Sequence, residues 1–297
     1  MGTVDCIIPA YKVDETLLRE AIQSALDWKR VQHVIVVDDG SPRALSLETL
    51  GFAGSPRVLL IRQANAGPAA ARNAGLMHAS SEWVCFLDAD DALITDGAEA
   101  LLSLAEGMNA VGGVAGRVEL DERGVRTEKL APEAWRNSRL PKAADVFFPK
   151  AIFSTSGVIA RTLPAREERF DPALVFGEDR EFLYRLASRG PLAVGAAAAL
   201  VQRVFASGSN LRSKANLKRW ITDHATLVER LGRSAAAPHL RAQTRWLLNA
   251  SAKARVDAAT WRHLVACARS IGCPIPVKIR LRRILRRPPR GAGASRP

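Results

Sequence analysis

The chain has 297 residues, of which 47% are hydrophobic, and a formal net charge of +13 at pH 7. This size and composition predict an ordinary globular protein with one large domain, or one domain plus an extension. The charge is typical of a nucleic-acid-binding protein, but eight basic residues lie in residues 278–297 without any acid. The basicity is therefore mainly a property of that terminus, and nucleic-acid binding is not expected of the rest of the chain.

Apolar stretches and cysteines indicate the compartment in which the protein is expected. The longest apolar stretch, residues 191–201, is far shorter than the ~18–20 residues that cross a bilayer, so no transmembrane or secretory segment is expected. The four cysteines show no CxxC spacing, and Cys6 and Cys85 fall within apolar, strand-like runs. These features predict a reduced, cytoplasmic protein without a structural zinc.

The first half of the chain repeats one unit, a short β-branched run followed by an amphipathic stretch. This alternation is typical of βαβ winding around a parallel sheet with flanking helices, an α/β fold. Strands are predicted at residues 4–8, 33–37, 57–61 and 83–87, and helices at 15–28, 68–79 and 96–106; a Val- and Gly-rich stretch follows at 109–120.

The regular alternation stops after about residue 130. A strand-like run at 156–160 and a helix-like run at 178–187 are separated by Pro-containing loops, and helices are predicted within 211–233 and 239–270. We therefore divide the chain into an α/β domain (1–210, with halves 1–120 and 121–210), a helical extension (211–276) and a basic tail (277–297).

Two clusters of acids begin where predicted strands end: Asp38 with Asp39, and Asp88 with Asp90 and Asp91. Ligands of open parallel sheets bind outside the carboxyl ends of the strands, so both clusters should face one crevice. Five carboxylates on one rim suit a hard cation such as Mg²⁺ or Mn²⁺, with diphosphate oxygens completing its coordination. The alternative is that these acids only form turns or helix caps.

Two further groups of residues are candidates. Arg72 lies in a helix that begins near Gly67 and Pro68, and an arginine beside a helix N-terminus favours a phosphate or base contact. Glu178 and Asp179 begin a later helix, where acids also stabilise the helix dipole, so local sequence does not separate a functional pair from a cap.

Taken together, five motifs resemble those of the inverting nucleotide-sugar glycosyltransferases with a GT-A fold, the family 2 group. The resemblance covers roughly residues 3–210. It is carried by residues 7–11 (IIPAY), 37–41 (VDDGS), 65–75 (NAGPAAARNAG), 86–91 (FLDADD, a DxD motif) and 170–171 with 177–179 (FD and GED).

The resemblance implies a role for each matching residue. Asp39 would contact the nucleobase, Asp88 the ribose, and Asp90 a divalent metal, Mn²⁺ or Mg²⁺, that bridges the two phosphates. Asp179 would be the general base that removes the proton of an acceptor hydroxyl, with inversion at the anomeric carbon. The remaining donor-binding residues would be Pro9, Tyr11, Asp38 and Arg72, and the accessory residues Glu178, Asp91 and Arg203.

One segment departs from the family pattern. Many relatives carry a histidine beyond the base that helps to hold the metal or the diphosphate, and the corresponding residues 201–210 contain none. Arg203 is the residue there with the charge to bind phosphate instead. Metal coordination is the property that this departure puts in question.

The basic tail presents apolar residues on one helical face and arginines on most of the rest, within residues 277–287. Three roles are open for such a segment: binding to an anionic membrane surface at the inner face of the cell membrane, a solvated and partly disordered tail, or binding to another anionic partner. A membrane position suggests a saccharide or lipid-linked acceptor and a role in bacterial surface polysaccharide or glycolipid synthesis.

Other functions remain as alternatives. A strand that ends in Asp88-Ala89-Asp90 also fits a haloacid-dehalogenase-like phosphatase, although Ala92 stands where that family usually has Thr or Val. A catalytically impaired nucleotide-sugar-binding protein is the non-enzymatic alternative. The sequence does not identify the sugar, the nucleotide or the acceptor.

Overall fold

The chain forms two compact units, divided between residues 208 and 209. A computed structural model describes residues 2–147, 154–205, 214–234, 236–254 and 256–279. The strands of the first unit are β1 (Val4–Ala10), β2 (Val31–Asp38), β3 (Val58–Arg62), β4 (Trp83–Phe86), β5 (Ala92–Leu93), β6 (Gly112–Asp121), β7 (Arg126–Lys129), β8 (Ser138–Arg139), β9 (Ile159–Arg161) and β10 (Leu192–Val204). Its helices are α1 (Glu15–Asp27), α2 (Pro68–His78), α3 (Thr95–Gly107), α4 (Thr162–Glu168) and α5 (Glu178–Arg189).

The described strands form one sheet in the order β3-β2-β1-β4-β9-β6-β10-β5, with β7 beside β6 and β8 beside β10. The four strands at the β3 end are parallel, which confirms the βαβ winding predicted for the first half. Beyond β4 the directions are mixed, because short β9 lies antiparallel to both β4 and β6. The α/β fold class is confirmed, and the prediction of mostly parallel strands holds for the first half.

Strand β1 lies at the centre of the parallel half and is buried on both faces. Val4, Cys6 and Ile8 point into the main hydrophobic core. Ile7 points to the opposite face, where a Cβ on Gly75 of α2 would come within 2.4 Å of its Cγ2. Burial on both faces explains the continuous apolar run in the sequence.

Strand β10 was not predicted as a strand. Its sequence over residues 192–204 is rich in alanine, and alanine is a weak strand former, so the local pattern indicates only an apolar stretch. The small side chains and Gly97 let α3 lie directly on the strand, since a Cβ on Gly97 would be 2.0 Å from the carbonyl oxygen of Ala198.

Two local expectations differ from the structure. The helix predicted at residues 96–106 begins one residue earlier, since α3 starts at Thr95, and its N-cap, Ile94, makes no side-chain cap hydrogen bond. Asp96 lies in the first turn, where its charge favours the helix dipole. Helix α4 was also not predicted, because seven residues are too few for a clear apolar period.

The second unit contains helices at the predicted positions, α6 (Lys214–Leu231), α7 (Ala237–Ala254) and α8 (Ala258–Ser270). The predicted stretch 239–270 is divided, and Asp257 caps α8 by accepting the N–H of Thr260 at 2.8 Å. Among the described residues, no helix is both long and apolar enough to span a bilayer. The predicted amphipathic tail lies outside the described residues from residue 280 onward.

The close approach of α3 to β10 gives a test of the fold. Replacing Gly97 with Ala should destabilise the protein by about 1–3 kcal/mol, because the new methyl group meets a backbone carbonyl that side-chain rotation does not move. The same substitution at Gly107, in the same helix but with no atom within 4 Å of the new Cβ, should change stability by about 0.5 kcal/mol or less. Urea unfolding of both variants measures the difference, and equal midpoints would contradict the packing.

Candidate functional site

A cleft of about 760 Å³ opens where parallel strands end. Its walls come from the segments that follow β1, β2 and β4, as predicted for the two acid clusters. Six of the residues proposed from the sequence line it: Pro9, Tyr11, Asp39, Arg72, Asp88 and Asp90. Lining residues that were not proposed include Lys12, Asp14, Asn65 and Phe205.

Asp38 was predicted to bind the donor, but it is not among the residues that line the cleft. Its buried carboxylate accepts the N–H groups of Ser41 at 2.9 Å and Leu45 at 3.3 Å and pairs with Arg62. These hydrogen bonds and the Arg62 charge lower the pKa of Asp38 in spite of its burial. Asp38 therefore organises the loop after β2.

Asp39 does line the cleft, and it also fixes the loop before α2, which contributes Asn65 and Gly67 to the cleft. One carboxylate oxygen accepts the side-chain N–H of Gln63 at 2.7 Å and the N–H of Ala66 at 2.9 Å, and the other accepts the N–H of Gly67 at 2.8 Å. Gly67 is the residue before α2 and has φ of 89°, a conformation that favours glycine. Asp39 thus fixes the entry to the helix that carries Arg72.

Arg72 connects the two halves of the site. Its guanidinium is buried and donates to Asp88 Oδ1 at 2.8 Å and to Glu178 Oε1 at 3.3 Å, and it lies 5.5 Å from the centre of the Phe170 ring. The carboxylates of Asp88, Glu178 and Asp179 raise its pKa against the effect of burial. The sequence placed Arg72 near the DxD motif, whereas the contact with Glu178 was not predicted.

Asn73, the neighbour of Arg72, fixes the segment before α5. Its side chain exchanges two hydrogen bonds with the backbone of Phe170, each 2.8 Å long. Phe170 stacks on Phe182 with ring centroids 4.1 Å apart, and Phe86 meets both rings edge-on. This aromatic cluster secures α5 beside the end of β4.

The two acids that begin α5 have different surroundings. Glu178 is largely buried, and desolvation together with Asp179 raises its pKa to about 7, while Arg72 opposes the shift. Asp179 is half-buried, accepts the N–H of Arg180 at 2.7 Å and is not among the residues that line the cleft. Its assignment as the general base stays a prediction.

The DxD loop carries an excess of negative charge. Burial and Asp88 raise the pKa of Asp90, and burial together with Asp88 and Asp90 raises the pKa of Asp91 to about 8. Ser156, which the sequence did not single out, accepts the N–H of Asp88 at 3.1 Å. Carboxylates that repel one another at the rim of a cleft are the groups that a bound cation stabilises.

Arg203 lies against this loop. It donates from its side chain to the carbonyl oxygen of Asp90 at 2.8 Å and from its backbone to Asp91 at 3.2 Å, and it pairs with Glu20 of α1. Its guanidinium was predicted to bind phosphate in place of a histidine. The structure places the guanidinium against the backbone of the DxD loop, and its assignment to phosphate stays a prediction. Residues 206–210 of the segment that departs from the family pattern lie outside the described residues.

The residues present fit a divalent cation only as a partial ligand set. Asp88 and Asp90 supply oxygen ligands at the cleft, the type that Mg²⁺ and Mn²⁺ prefer. Within the described part of the chain, no group of three or more His, Cys, Asp or Glu side chains is arranged to hold a metal by itself. A cation here would take its remaining ligands from a bound diphosphate or from water.

Lys12 stands in an unusual backbone conformation at the cleft. Its φ is 52°, in the left-handed region that suits glycine and asparagine, and its N–H donates to Ser41 Oγ at 3.1 Å. This conformation costs about 1 kcal/mol for a lysine. No sequence pattern indicated it, because the strain depends on how the loop after β1 packs against the loop after β2.

Comparison with known proteins places these features in a family. Residues 5–160 match the family model described as Glycosyl transferase family 2. The succinoglycan biosynthesis protein ExoO of Rhizobium meliloti (strain 1021) is 33% identical over 221 residues, covering 68% of this chain and 60% of that protein. ExoW of the same organism, also a succinoglycan biosynthesis protein, is 39% identical over 101 residues, 32% of each chain.

Two further similarities are informative. The amylovoran biosynthesis glycosyltransferase AmsB of Erwinia amylovora is 28% identical over 199 residues, 62% of this chain and 64% of that protein. The matches thus span between about a third and just under two thirds of these relatives. S. aureus TarS, solved in complex with UDP-GlcNAc, superposes with a TM-score of 0.63 at 16% identity over 94% of this chain and 85% of that chain, a likeness of fold.

Glu178 makes stability depend on pH. Its pKa of about 7 lies above its ordinary value of 4.5, so the native state holds this proton more tightly and the unfolding free energy falls as pH rises through that interval. Replacing Glu178 with Gln should remove its share of this fall, so between pH 5 and pH 8 the ligand-free variant should lose up to about 3 kcal/mol less stability than wild type. The share that comes from the raised pKa of Asp91 should persist in both proteins. Urea unfolding of both proteins at both pH values measures the difference.

The matched control is Glu48→Gln, which removes a carboxylate from the exposed loop between β2 and β3. This variant should keep the wild-type pH dependence. If wild type and Glu178→Gln lose the same stability between pH 5 and pH 8, the pKa of Glu178 is not raised in the native state, and the prediction is wrong.

Proposed function

Because the chain belongs to glycosyl transferase family 2, we propose that it is an inverting transferase that moves a sugar from a nucleotide-diphospho-sugar donor to a hydroxyl acceptor. The observation that carries the proposal is one cleft lined by Tyr11, Asp39 and the DxD carboxylates Asp88 and Asp90, which Arg72 joins to Glu178 of α5. An aromatic ring beside a carboxylate suits a nucleobase. Acids that share a cation suit a diphosphate.

The relatives suggest the pathway and the donor class. ExoO, ExoW and AmsB are named for succinoglycan or amylovoran biosynthesis, which supports a role in bacterial surface polysaccharide synthesis. TarS is described in complexes with UDP-GlcNAc and with UDP, which supports a uridine-diphospho-sugar as the first donor to test. The acceptor in this proposal is a saccharide or a lipid-linked saccharide.

In the proposed reaction Asp179 is the general base. Its carboxylate takes the proton of the acceptor hydroxyl while that oxygen attacks the anomeric carbon from the face opposite the leaving nucleotide, so the configuration inverts and no covalent enzyme intermediate forms. Arg72 orients both sides of the reaction, because one guanidinium binds Asp88 on the donor side and Glu178 next to the base.

A divalent metal is proposed as the cofactor. Asp90, with Asp88, would hold it, and a bound Mn²⁺ or Mg²⁺ supplies charge stabilisation to the departing diphosphate. Burial and the neighbouring Asp88 already raise the pKa of Asp90, which is the state that a cation would relieve. Arg203 holds the Asp90 carbonyl and so keeps the loop in place.

The basic tail is proposed to bind an anionic membrane surface, near a lipid-linked acceptor. At roughly 1 kcal/mol per basic residue close to such a surface, half of its charges suffice for attachment. We expect full-length protein, but not a chain that ends at residue 276, to sediment with phosphatidylserine-containing liposomes at low salt. Equal sedimentation of both would reject this part of the proposal.

The decisive test of function is transfer itself. A panel of nucleotide sugars, screened by thermal shift with Mn²⁺ or with EDTA, should identify a donor that stabilises the protein more strongly with the metal. Replacing Asp179 with Asn should then lower the transfer rate by about 10²–10⁴-fold, because the base is lost, and leave donor affinity within about twofold.

Asp27→Asn is the matched control, since Asp27 is exposed on α1 and does not line the cleft. It should transfer at the wild-type rate. Substantial transfer by Asp179→Asn would reject the base assignment. Donor binding without transfer by the wild type to any acceptor of the panel would favour the nucleotide-sugar-binding alternative.

A further inference from the structure

Two of the described residues that line the cleft are basic, Lys12 and Arg72, and they differ in how they are bound within the protein. Arg72 is buried and bound to Asp88 and Glu178. Lys12 is exposed, and among the described residues no carboxylate lies within ion-pair distance of its ammonium group. Of these two residues, Lys12 is therefore the one whose ammonium group is available to a ligand.

The backbone conformation of Lys12 indicates that local structure does not account for a lysine at this position. A left-handed φ of 52° suits asparagine or glycine, and the other three described non-glycine residues with positive φ are Asn109, Asn137 and Arg169. A lysine gains nothing from this conformation. Strained residues of this kind are concentrated where ligands bind.

The contacts that Lys12 makes within the protein do not account for the choice of residue. Its N–H bond to Ser41 Oγ is a backbone interaction that asparagine or glycine would make equally well. Its ammonium lies 5.0 Å from the centre of the exposed Tyr11 ring, a weak cation–π contact at a solvated surface. Neither contact requires a long cationic side chain in place of a strain-free residue.

The charge of the cleft indicates what the ammonium would bind. Among the residues that the structure describes, four carboxylates line the cleft, those of Asp14, Asp39, Asp88 and Asp90. A diphosphate that enters such a site meets net repulsion, which a cation on the DxD side offsets only in part. A second, mobile cation at the mouth of the cleft lowers this repulsion and donates hydrogen bonds to phosphate oxygens.

We propose that Lys12 binds the diphosphate of the donor nucleotide from its left-handed position in the loop after β1. The proposal rests on the proposed function, since it takes a nucleoside diphosphate as the ligand of this cleft. On binding, the ammonium moves from the Tyr11 ring to the phosphate oxygens. The backbone strain at Lys12 is the cost in stability of this contact.

The test is Lys12→Asn, which removes the charge and tolerates the left-handed conformation. Calorimetric titration with UDP and with uridine, at constant Mn²⁺ concentration, should show UDP affinity reduced about tenfold or more and uridine affinity unchanged within about twofold. The unfolding midpoint of the ligand-free variant should be equal to or above that of wild type, because the strain is relieved. Weaker binding would then not be a folding defect.

Two further variants complete the design. Lys12→Arg keeps the charge and the strain, so it should retain UDP affinity within about threefold and gain no stability. Lys29→Asn removes an equal charge from an exposed residue that does not line the cleft, and it should leave UDP affinity unchanged. Raising the salt concentration should weaken UDP binding more in wild type than in Lys12→Asn.

The outcomes separate the two proposals. UDP binding by wild type with equal affinity for Lys12→Asn would overturn the role of Lys12 and leave the proposed function standing. An equal loss of UDP and uridine affinity would place Lys12 on the nucleoside and also overturn it. If wild type binds no nucleoside diphosphate among UDP, GDP, ADP and TDP, both proposals are wrong.

Discussion

The site depends on one buried guanidinium. Arg72 lies between Asp88, which follows β4, and Glu178, which begins α5, and its buried guanidinium forms an ion pair with each of them. Removing water from an arginine is costly, so its two carboxylate partners and the Phe170 ring must be in place together. The positions of the DxD loop and of α5 are thereby coupled, although the two are about 90 residues apart in the chain.

The residues around Arg72 show how that coupling is built. Asp39 fixes the loop that leads into α2, so it sets the start of the helix on which Arg72 lies. Asn73, one residue further on, holds the backbone of Phe170 by two hydrogen bonds and brings the segment before α5 to the same place. Arg72 and Asn73 thus connect α2 to the DxD loop and to the segment before α5, and Arg72 also lines the cleft.

Electrostatics divides the acids of the site into two groups. Asp38 receives backbone N–H groups and an arginine, which lower its pKa, so it is ionised and serves the loop. Asp90, Asp91 and Glu178 lack enough compensation, and burial beside other carboxylates raises their pKa values. Of these acids, Asp90 lines the cleft, Asp91 follows it in the DxD loop, and Glu178 pairs with Arg72, which also lines the cleft. A cation and a charged donor bound in the cleft would offset this excess of negative charge.

The sequence by itself determined the parallel half of the sheet, the placement of both acid clusters at its carboxyl edge and the family, because β-branched runs, apolar periods and motif spacing are local properties. Strand β10 and helix α4 escaped prediction, since alanine-rich and very short segments carry weak local signals. Only the tertiary structure decided that Asp38 serves the loop while Asp39 lines the cleft, that Arg72 binds Glu178, and that Lys12 is strained. Each of these depends on contacts between segments far apart in the chain, which no local pattern records.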